Sequence, residues 1–385
     1  MIYMDTAATT PVRAEVLRAM WPYLSNDFGN PSSHLSIGAI AARALADARA
    51  RVAAVLGCRP KEIIFTSGGT EADNLAIKGI ALARTALSNP RGGHIVTAAT
   101  EHEAVLASCD YLARQHGFEI TYVAVDEYGA VHPDTFEHAL RADTTLCSIM
   151  LANNEVGTIQ PIRELASIAR SRAIPFHTDA VQAAGALDLN VESLGVDALS
   201  LSGHKIGAPK GVGVVYLRRR VGVEPVIHGG GQESGHRSGT ENVAAAVAFA
   251  TALELAAADR ESRTARLSEL RDHLITGILQ HVRGAMLTGH PAERLPGHAS
   301  FCFAGTSGES VLLALEERGI LCSSGSACAA GSDEPSHVLV AMGVPRELAQ
   351  TAVRFSFGDD ITDQQIEEVV SAVHDAVRSL SALAS

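Results

Sequence analysis

The chain is poor in aromatic side chains. They make up 4% of 385 residues, with a single Trp, so any core has to be built from Ala, Val, Leu and Ile, which the 46% hydrophobic share can supply. No run approaches the ~20 consecutive apolar residues of a membrane span. Met1 to Pro11 contains no basic stretch leading into an apolar one, which disfavours a secretory signal. There is no CxxC pair among the six cysteines, Cys58, Cys109, Cys147, Cys302, Cys322 and Cys328. Scattered cysteines in a long chain without a signal do not read as a disulfide scaffold, and reduced thiols in a cytoplasm are the expectation. A basic excess is missing too: the formal net charge of −12 disfavours tight binding to a nucleic-acid backbone.

Several catalytic signatures are also missing. His228-Gly229-Gly230-Gly231 has the look of an esterase oxyanion loop, but no GxSxG nucleophile occurs anywhere. Glu101-His102-Glu103 is not followed by the second histidine of a zinc-protease helix. Gly211 to Tyr216 fails GxGxxG at its last position, and no GxxxxGK[ST] exists, which argues against a dinucleotide or ATP site. No internal repeat, low-complexity tract or flexible linker is visible.

What is present is an alternation of helical and strand-like segments. Residues 37–56 carry apolar side chains at helical spacing, and short apolar runs lie at 62–66, 94–98, 119–123, 145–150, 175–178, 197–201 and 213–217. Such alternation predicts a mostly parallel sheet covered on both faces, an α/β fold. From Glu241 to about Val282 the sequence reads as one long helix, with a domain boundary inside it at 250–265, and a last helix is expected from about Asp363 to Leu383.

Four stretches carry chemistry. Thr66-Ser67-Gly68-Gly69-Thr70-Glu71, between a strand and a helix, offers free backbone N–H groups and a positive helix end to an anion; it suits an ordinary glycine turn with a Thr cap equally well. Asp179 ends an apolar strand, where ligands of parallel sheets gather, and could pair with a protonated ring nitrogen; the same residue could cap a helix. In Ser200-Leu201-Ser202-Gly203-His204-Lys205, a lysine closes a buried strand. Most lysines are solvated, and a desolvated one has a lowered pKa and can form a Schiff base. Finally, Cys328 sits in Cys322-Ser323-Ser324-Gly325-Ser326-Ala327-Cys328, among small residues rather than the bulky ones that surround an inert buried thiol. With a pKa near ~8.5, about 3% would be thiolate at pH 7 unless activated, and a redox-silent surface thiol is the plain alternative. His102, after the run at 94–98, fits either a helix start or a ligand-facing position.

Together these stretches resemble the aspartate-aminotransferase class (fold type I) of pyridoxal-phosphate enzymes, and SSGSAC narrows the resemblance to the cysteine desulfurases. Asp5 to Thr10, Phe28 to Ser33, Asn153 to Gly157, Arg237 to Thr240 and Arg354 to Gly358 extend it over essentially the whole chain. Glu334-Pro335-Ser336-His337-Val338-Leu339 resembles the general-assembly group, which supports iron–sulfur cluster and nitrogenase maturation.

The resemblance implies a large cofactor-binding domain of residues 15–257 with a mostly parallel seven-stranded sheet. It also implies a smaller α+β domain of residues 1–14 with 258–385, carrying the Cys328 loop. Lys205 would bind pyridoxal 5′-phosphate covalently. Asp179 would pair with the ring nitrogen, Gln182 would bond the ring hydroxyl with Asn154 beside it, and His102 would stack on the ring and shuttle protons. Gly69, Thr70, Ser202 and His204 would hold the phosphate, with Thr240 reaching across from a second copy in a homodimer. Arg354, helped by Asn30 and Asn154, would grip the substrate carboxylate.

The implied reaction converts L-cysteine to L-alanine and leaves the sulfur as a persulfide on Cys328, for a sulfur-acceptor or cluster-scaffold protein. No resident metal is implied, although Cys328 could serve as a transient iron–sulfur ligand. Neither direct nucleic-acid nor membrane contact is expected. Selenocysteine lyase and aminotransferase activity on the same fold are the alternatives. The family often has Thr after the reactive Cys, where this chain has Ala329, and the Ser332-Asp333 stretch also varies. The other five cysteines have no expected role, although the position of Cys322 at a strand end suggests packing.

Overall fold

The computed structural model describes residues 1–88, 93–325 and 334–383. Its centre is a seven-stranded sheet in the order Ile63–Thr66, Gly213–Leu217, Ala198–Ser202, Phe176–Asp179, Thr144–Ser148, His94–Ala98, Glu119–Val123. Gly213–Leu217 runs antiparallel to both neighbours, and every other pairing is parallel. Parallel pairing requires a crossover between strands. The helices Gly69–Ser88, Glu103–His116, Pro133–Ala139 and Ile162–Ser171 lie between successive strands in the chain.

Six of the seven strands are buried at every position or nearly so, which explains why they read as apolar runs rather than alternating patterns. Successive side chains still point to opposite faces. Ile64, Ile95, Leu146, Ala198 and Val215 pack under the helices Gly69–Ser88 and Glu103–His116. Their neighbours Phe65, Val96, Cys147, Leu199 and Val214 pack on the other side, with Leu45 and Val52 of Ser36–Leu56 and with the helix Val243–Ala258. The strands His94–Ala98, Glu119–Val123 and Gly213–Leu217 match the sequence expectation, and the other four differ from it by one or two residues at their ends.

The expected single helix over residues 241–282 is two: Val243–Ala258 and Arg260–His281, meeting at Asp259. The first is buried on nearly all sides in the main core. The second places Leu267, Leu270, Leu274 and Ile278 in a different core, with Phe301, Phe303, Phe355, Ile366 and Val373. Apolar periodicity continues across the junction, so it gives no sign of the change of core.

That second core is built on an antiparallel sheet, Ala352–Ser356, His298–Phe303, Ala285–Thr288. The N-terminus belongs to it. Ile2–Tyr3 pairs with Ile320–Leu321, Asp5 bridges to Ser356, and Ile2 and Met4 enter the core. The helix Asp363–Leu383 packs on Arg260–His281. Among the described residues no helix is long and apolar enough to cross a membrane.

Candidate active site

The carboxyl ends of the central strands converge on the first residues of the chain. Asp179 closes its strand, is 5% exposed, and accepts the Val181 N–H at 2.8 Å. It therefore caps a run of tight turns rather than a helix, because residues 181–186 form no α-helix. Burial pushes its carboxyl above the ordinary value, while the nearby charges of His102 and Lys205 pull the other way. No ion pair holds it among the described residues.

Lys205 ends the turn Gly203–Lys205 that follows the strand Ala198–Ser202. Its ammonium donates to the carbonyl of Ala8 at 2.8 Å and to that of Ala7. Gln182 Nε2 donates to the same Ala7 carbonyl at 3.0 Å. His102 caps the helix Glu103–His116, its Nδ1 accepting the Ala104 N–H at 3.1 Å. It is thus a helix start that also lies within electrostatic reach of Asp179.

The four residues expected at a phosphate divide into two adjoining pairs. Gly69 begins the helix Gly69–Ser88 and lies against Ser202. Thr70 is the second helical residue, so it does not cap that helix. His204 Nδ1 lies 3.1 Å from Thr9 Oγ1. Burial, with help from Lys205 and Lys210, lowers its pKa to about 4, so the ring is neutral. Thr240 is exposed, and its stretch reaches the start of the same helix through the Arg237–Glu71 ion pair at 2.8 Å.

A second cluster surrounds Arg354, which is 3% exposed. Its Nη2 donates to Asp5 Oδ1 at 2.8 Å and its Nη1 to the Asn154 carbonyl at 2.9 Å, leaving Nε buried without a partner among the described residues. His298 Nε2 lies 3.1 Å from the same Asn154 carbonyl. Asn30 stands apart on an exposed turn, accepting the Ser32 N–H at 2.9 Å. Cys328 lies outside the described residues. Burial raises the thiols of the five described cysteines, to about 12 for Cys322 and about 11 for Cys302. Cys322 packs beside the second core, at the strand end expected of it.

Several buried polar groups near the site were not singled out by residue type. Asp73 and Glu101 are fully buried, each keeps one oxygen without a partner among the described residues, and burial raises both well above the ordinary carboxyl range. His177 lies between Ser148 Oγ at 2.8 Å and Ser200 Oγ at 2.9 Å, and burial holds it neutral with a pKa of about 3. Its nitrogen is 3.7 Å from Asp73, but with the ring neutral this is not an ion pair. The Ala7 and Ala8 carbonyls are backbone acceptors and have no residue signature at all.

The family model for class-V aminotransferases matches residues 2–369. The chain belongs to the class-V aminotransferase family. Among its relatives, a protein named cysteine desulfurase IscS from Methanosarcina thermophila is 49% identical, over 98% of this chain and 92% of the relative. Another of that name, from Dictyoglomus turgidum, is 47% identical over 99% and 96%. A solved structure described as a NifS-like protein superposes with a TM-score of 0.90 at 37% identity, covering 98% of this chain and all of the other. A NifS-like protein from Rickettsia africae gives 0.86 at 29% identity. The fold is therefore fold type I, as its sheet indicates. Class-V aminotransferases are pyridoxal-phosphate enzymes. This member's residues fit that group: Asp179 is a buried carboxyl with no ion pair among the described residues, and an amine and a histidine, Lys205 and His102, lie within electrostatic reach of it.

Proposed function

We propose that this protein is a cysteine desulfurase that uses pyridoxal phosphate, converts L-cysteine to L-alanine and passes the sulfur on as a Cys328 persulfide, in iron–sulfur cluster assembly or thiolation. The observation that carries the reading is the convergence of Asp179, His102, Gln182 and Lys205 on one strand-end site, in a chain nearly half identical to relatives of that name.

Residues 15–257 would form the cofactor-carrying domain, and residues 1–14 with 258–385 the domain that supplies Arg354 and Cys328. Lys205 would hold the cofactor covalently, Asp179 would face its ring nitrogen, Gln182 and Asn154 its ring oxygen, and His102 its face. Gly69, Thr70, Ser202 and a neutral His204 would surround the phosphate, joined by Thr240 of a second copy. When bound, the cofactor supplies an electron sink for the bond-breaking at the substrate α-carbon.

Arg354 would bind the substrate carboxylate, and its Nε, which has no partner among the described residues, is a donor for that contact. Asn30 and Asn154 would help to orient it. The Lys205 amine takes the α-proton, and His102, whose Nδ1 is occupied by the Ala104 N–H, would move protons through its Nε2. The Cys328 thiolate attacks the substrate sulfur: an S–S bond forms as the substrate C–S bond breaks, its electron pair stays with the carbon fragment, and that fragment takes one proton at the β-carbon and regains one at the α-carbon to leave as alanine. The raised thiols of the five described cysteines support assigning this step to Cys328.

A homodimer fits the surface. Leu17, Trp21, Leu24, Phe28 and Leu35 are all exposed, with Trp21 at 67% and Phe28 at 68%. Large apolar residues gathered in one short stretch suit a partner surface.

Cys328→Ser tests the reading. The variant is expected to keep its cofactor and to exchange the α-proton of substrate, while alanine formation from L-cysteine falls to background. Wild type given L-cysteine without reductant should gain ~32 Da, one sulfur, on the Cys328 peptide. Alanine production by Cys328→Ser at the wild-type rate, or sulfur on another cysteine, would overturn the assignment.

A further inference from the structure

The turn Asn153–Gly157 ties together parts of the chain that are distant in sequence. Asn153 Oδ1 accepts the N–H groups of Glu155 at 2.8 Å and Val156 at 2.9 Å, and its Nδ2 donates to the Thr100 carbonyl at 2.9 Å. The turn is thereby rigid, and it buries the Glu155 side chain. Burying a carboxyl is costly unless it has partners. One partner is Ser336, whose hydroxyl donates to Glu155 Oε2 at 2.5 Å and accepts the Leu339 N–H at 3.2 Å, capping the helix His337–Ala341. Gly325 supplies another contact. It packs so closely on the same side chain that a Cβ there would stand 2.9 Å from Glu155 Oε2 and 3.1 Å from its Cβ. Gly325 and Ser336 flank the segment containing Cys328.

The stem before Gly325 is fixed as well. Ser323 exchanges both backbone hydrogen bonds with Arg354, at 2.6 and 3.3 Å, and Arg354 in turn holds the Asn154 carbonyl of the same turn. Cys328 is the third residue after Gly325, so their Cα atoms can be at most ~11 Å apart. From Ser336 the eight-residue limit is ~29 Å. The Gly325 end therefore limits where the thiol can go.

We propose that Glu155 is a positioning residue: it gathers both ends of the Cys328-bearing segment, through Ser336 and against Gly325, and so sets the ground the thiol can cover. The inference rests on the reading of Cys328 as the sulfur-accepting nucleophile. The contacts of the Glu155 carboxylate are with Ser336 and Gly325 at the two ends of that segment, so its loss should uncouple sulfur loading from α-proton chemistry.

The experiment compares holoenzyme with Glu155→Ala, Glu155→Gln and Ser336→Ala. Three quantities are read: cofactor absorbance, deuterium exchange at the α-carbon of L-alanine, and the rate at which sulfur from L-cysteine appears on the Cys328 peptide. Glu155→Ala and Ser336→Ala should keep the absorbance and exchange within about twofold of wild type, while sulfur loading falls at least ~10-fold. Glu155→Gln, which can still accept from Ser336, should retain most of the loading. Loading at the wild-type rate in both Glu155→Ala and Ser336→Ala overturns the proposal, as does a parallel loss of exchange and loading. If Glu155→Ala does not fold, Ser336→Ala decides by the same thresholds. Sulfur absent from Cys328 in wild type would instead defeat the functional reading, and the inference with it.

Discussion

Asp73, Glu101 and Asp179 bring three buried carboxyls within electrostatic reach of one another: Asp179 raises the proton affinity of both others, and Glu101 raises that of Asp73. Glu101 gives the clearest test. Its carboxyl is raised above the ordinary value chiefly by burial, so its contribution to stability is fully present below about pH 4.3 and is lost as pH rises through the higher folded value. Glu101→Gln escapes that loss. Its stability relative to wild type should therefore increase as pH rises above about 4.3 and level off above the folded value, read as Tm against pH. A difference that does not vary with pH would show that Glu101 is not held protonated. Asp179→Asn should bind cofactor yet slow α-proton exchange at least ~100-fold, the scale of removing one placed charge from a dry site; unchanged exchange would leave Asp179 as a turn cap only. Lys205 and Asp179 could be picked out because each breaks a local habit, a lysine closing a buried strand and an acid where ligands gather, and the structure brings them within electrostatic reach of each other; Cys328 stood out for its lack of bulky neighbours and lies outside the described residues. Asp73 and Glu155 were not, since an acid in a helix or a turn is ordinary until its burial is seen.

Among the elements, the helix Gly69–Ser88 shows where a sequence rule reverses. Alanine in place of an interior helical glycine usually gains ~1 kcal/mol. At Gly79 an added Cβ would come within 2.8 Å of the Glu224 carbonyl oxygen and 2.5 Å of Val223, while Glu224 N–H donates to the Gly79 carbonyl at 2.9 Å. Backbone cannot yield as a side-chain tip can, so Gly79→Ala should lower stability by ~1–3 kcal/mol, read as a lower Tm. A raised Tm would mean that the Val221–Val223 connection gives way. The strands were legible almost to the residue, because burial on both faces leaves a continuous apolar run. The break at Asp259 was not, because helical spacing records which face is apolar and not which core that face enters.

For the whole molecule, light scattering should give twice the 40.3 kDa chain mass, and Trp21→Arg should shift the protein toward single chains that bind cofactor less tightly, since each would lack its partner's Thr240. A fully active single chain would rule out that arrangement. The carbonyls that receive Lys205 belong to Ala7 and Ala8, while the strand that secures this stretch, through Ala7 N–H to Ser356 Oγ at 2.9 Å, lies nearly 350 residues later. At roughly 5–20 residues per second, a ribosome makes Ala7 some 20–70 s before Ser356. During translation the nascent N-terminus has no strand to join, and the lysine no settled carbonyls to meet. Cofactor capture on polysomes should therefore be negligible, and the last pages of the message decide when the first can be read.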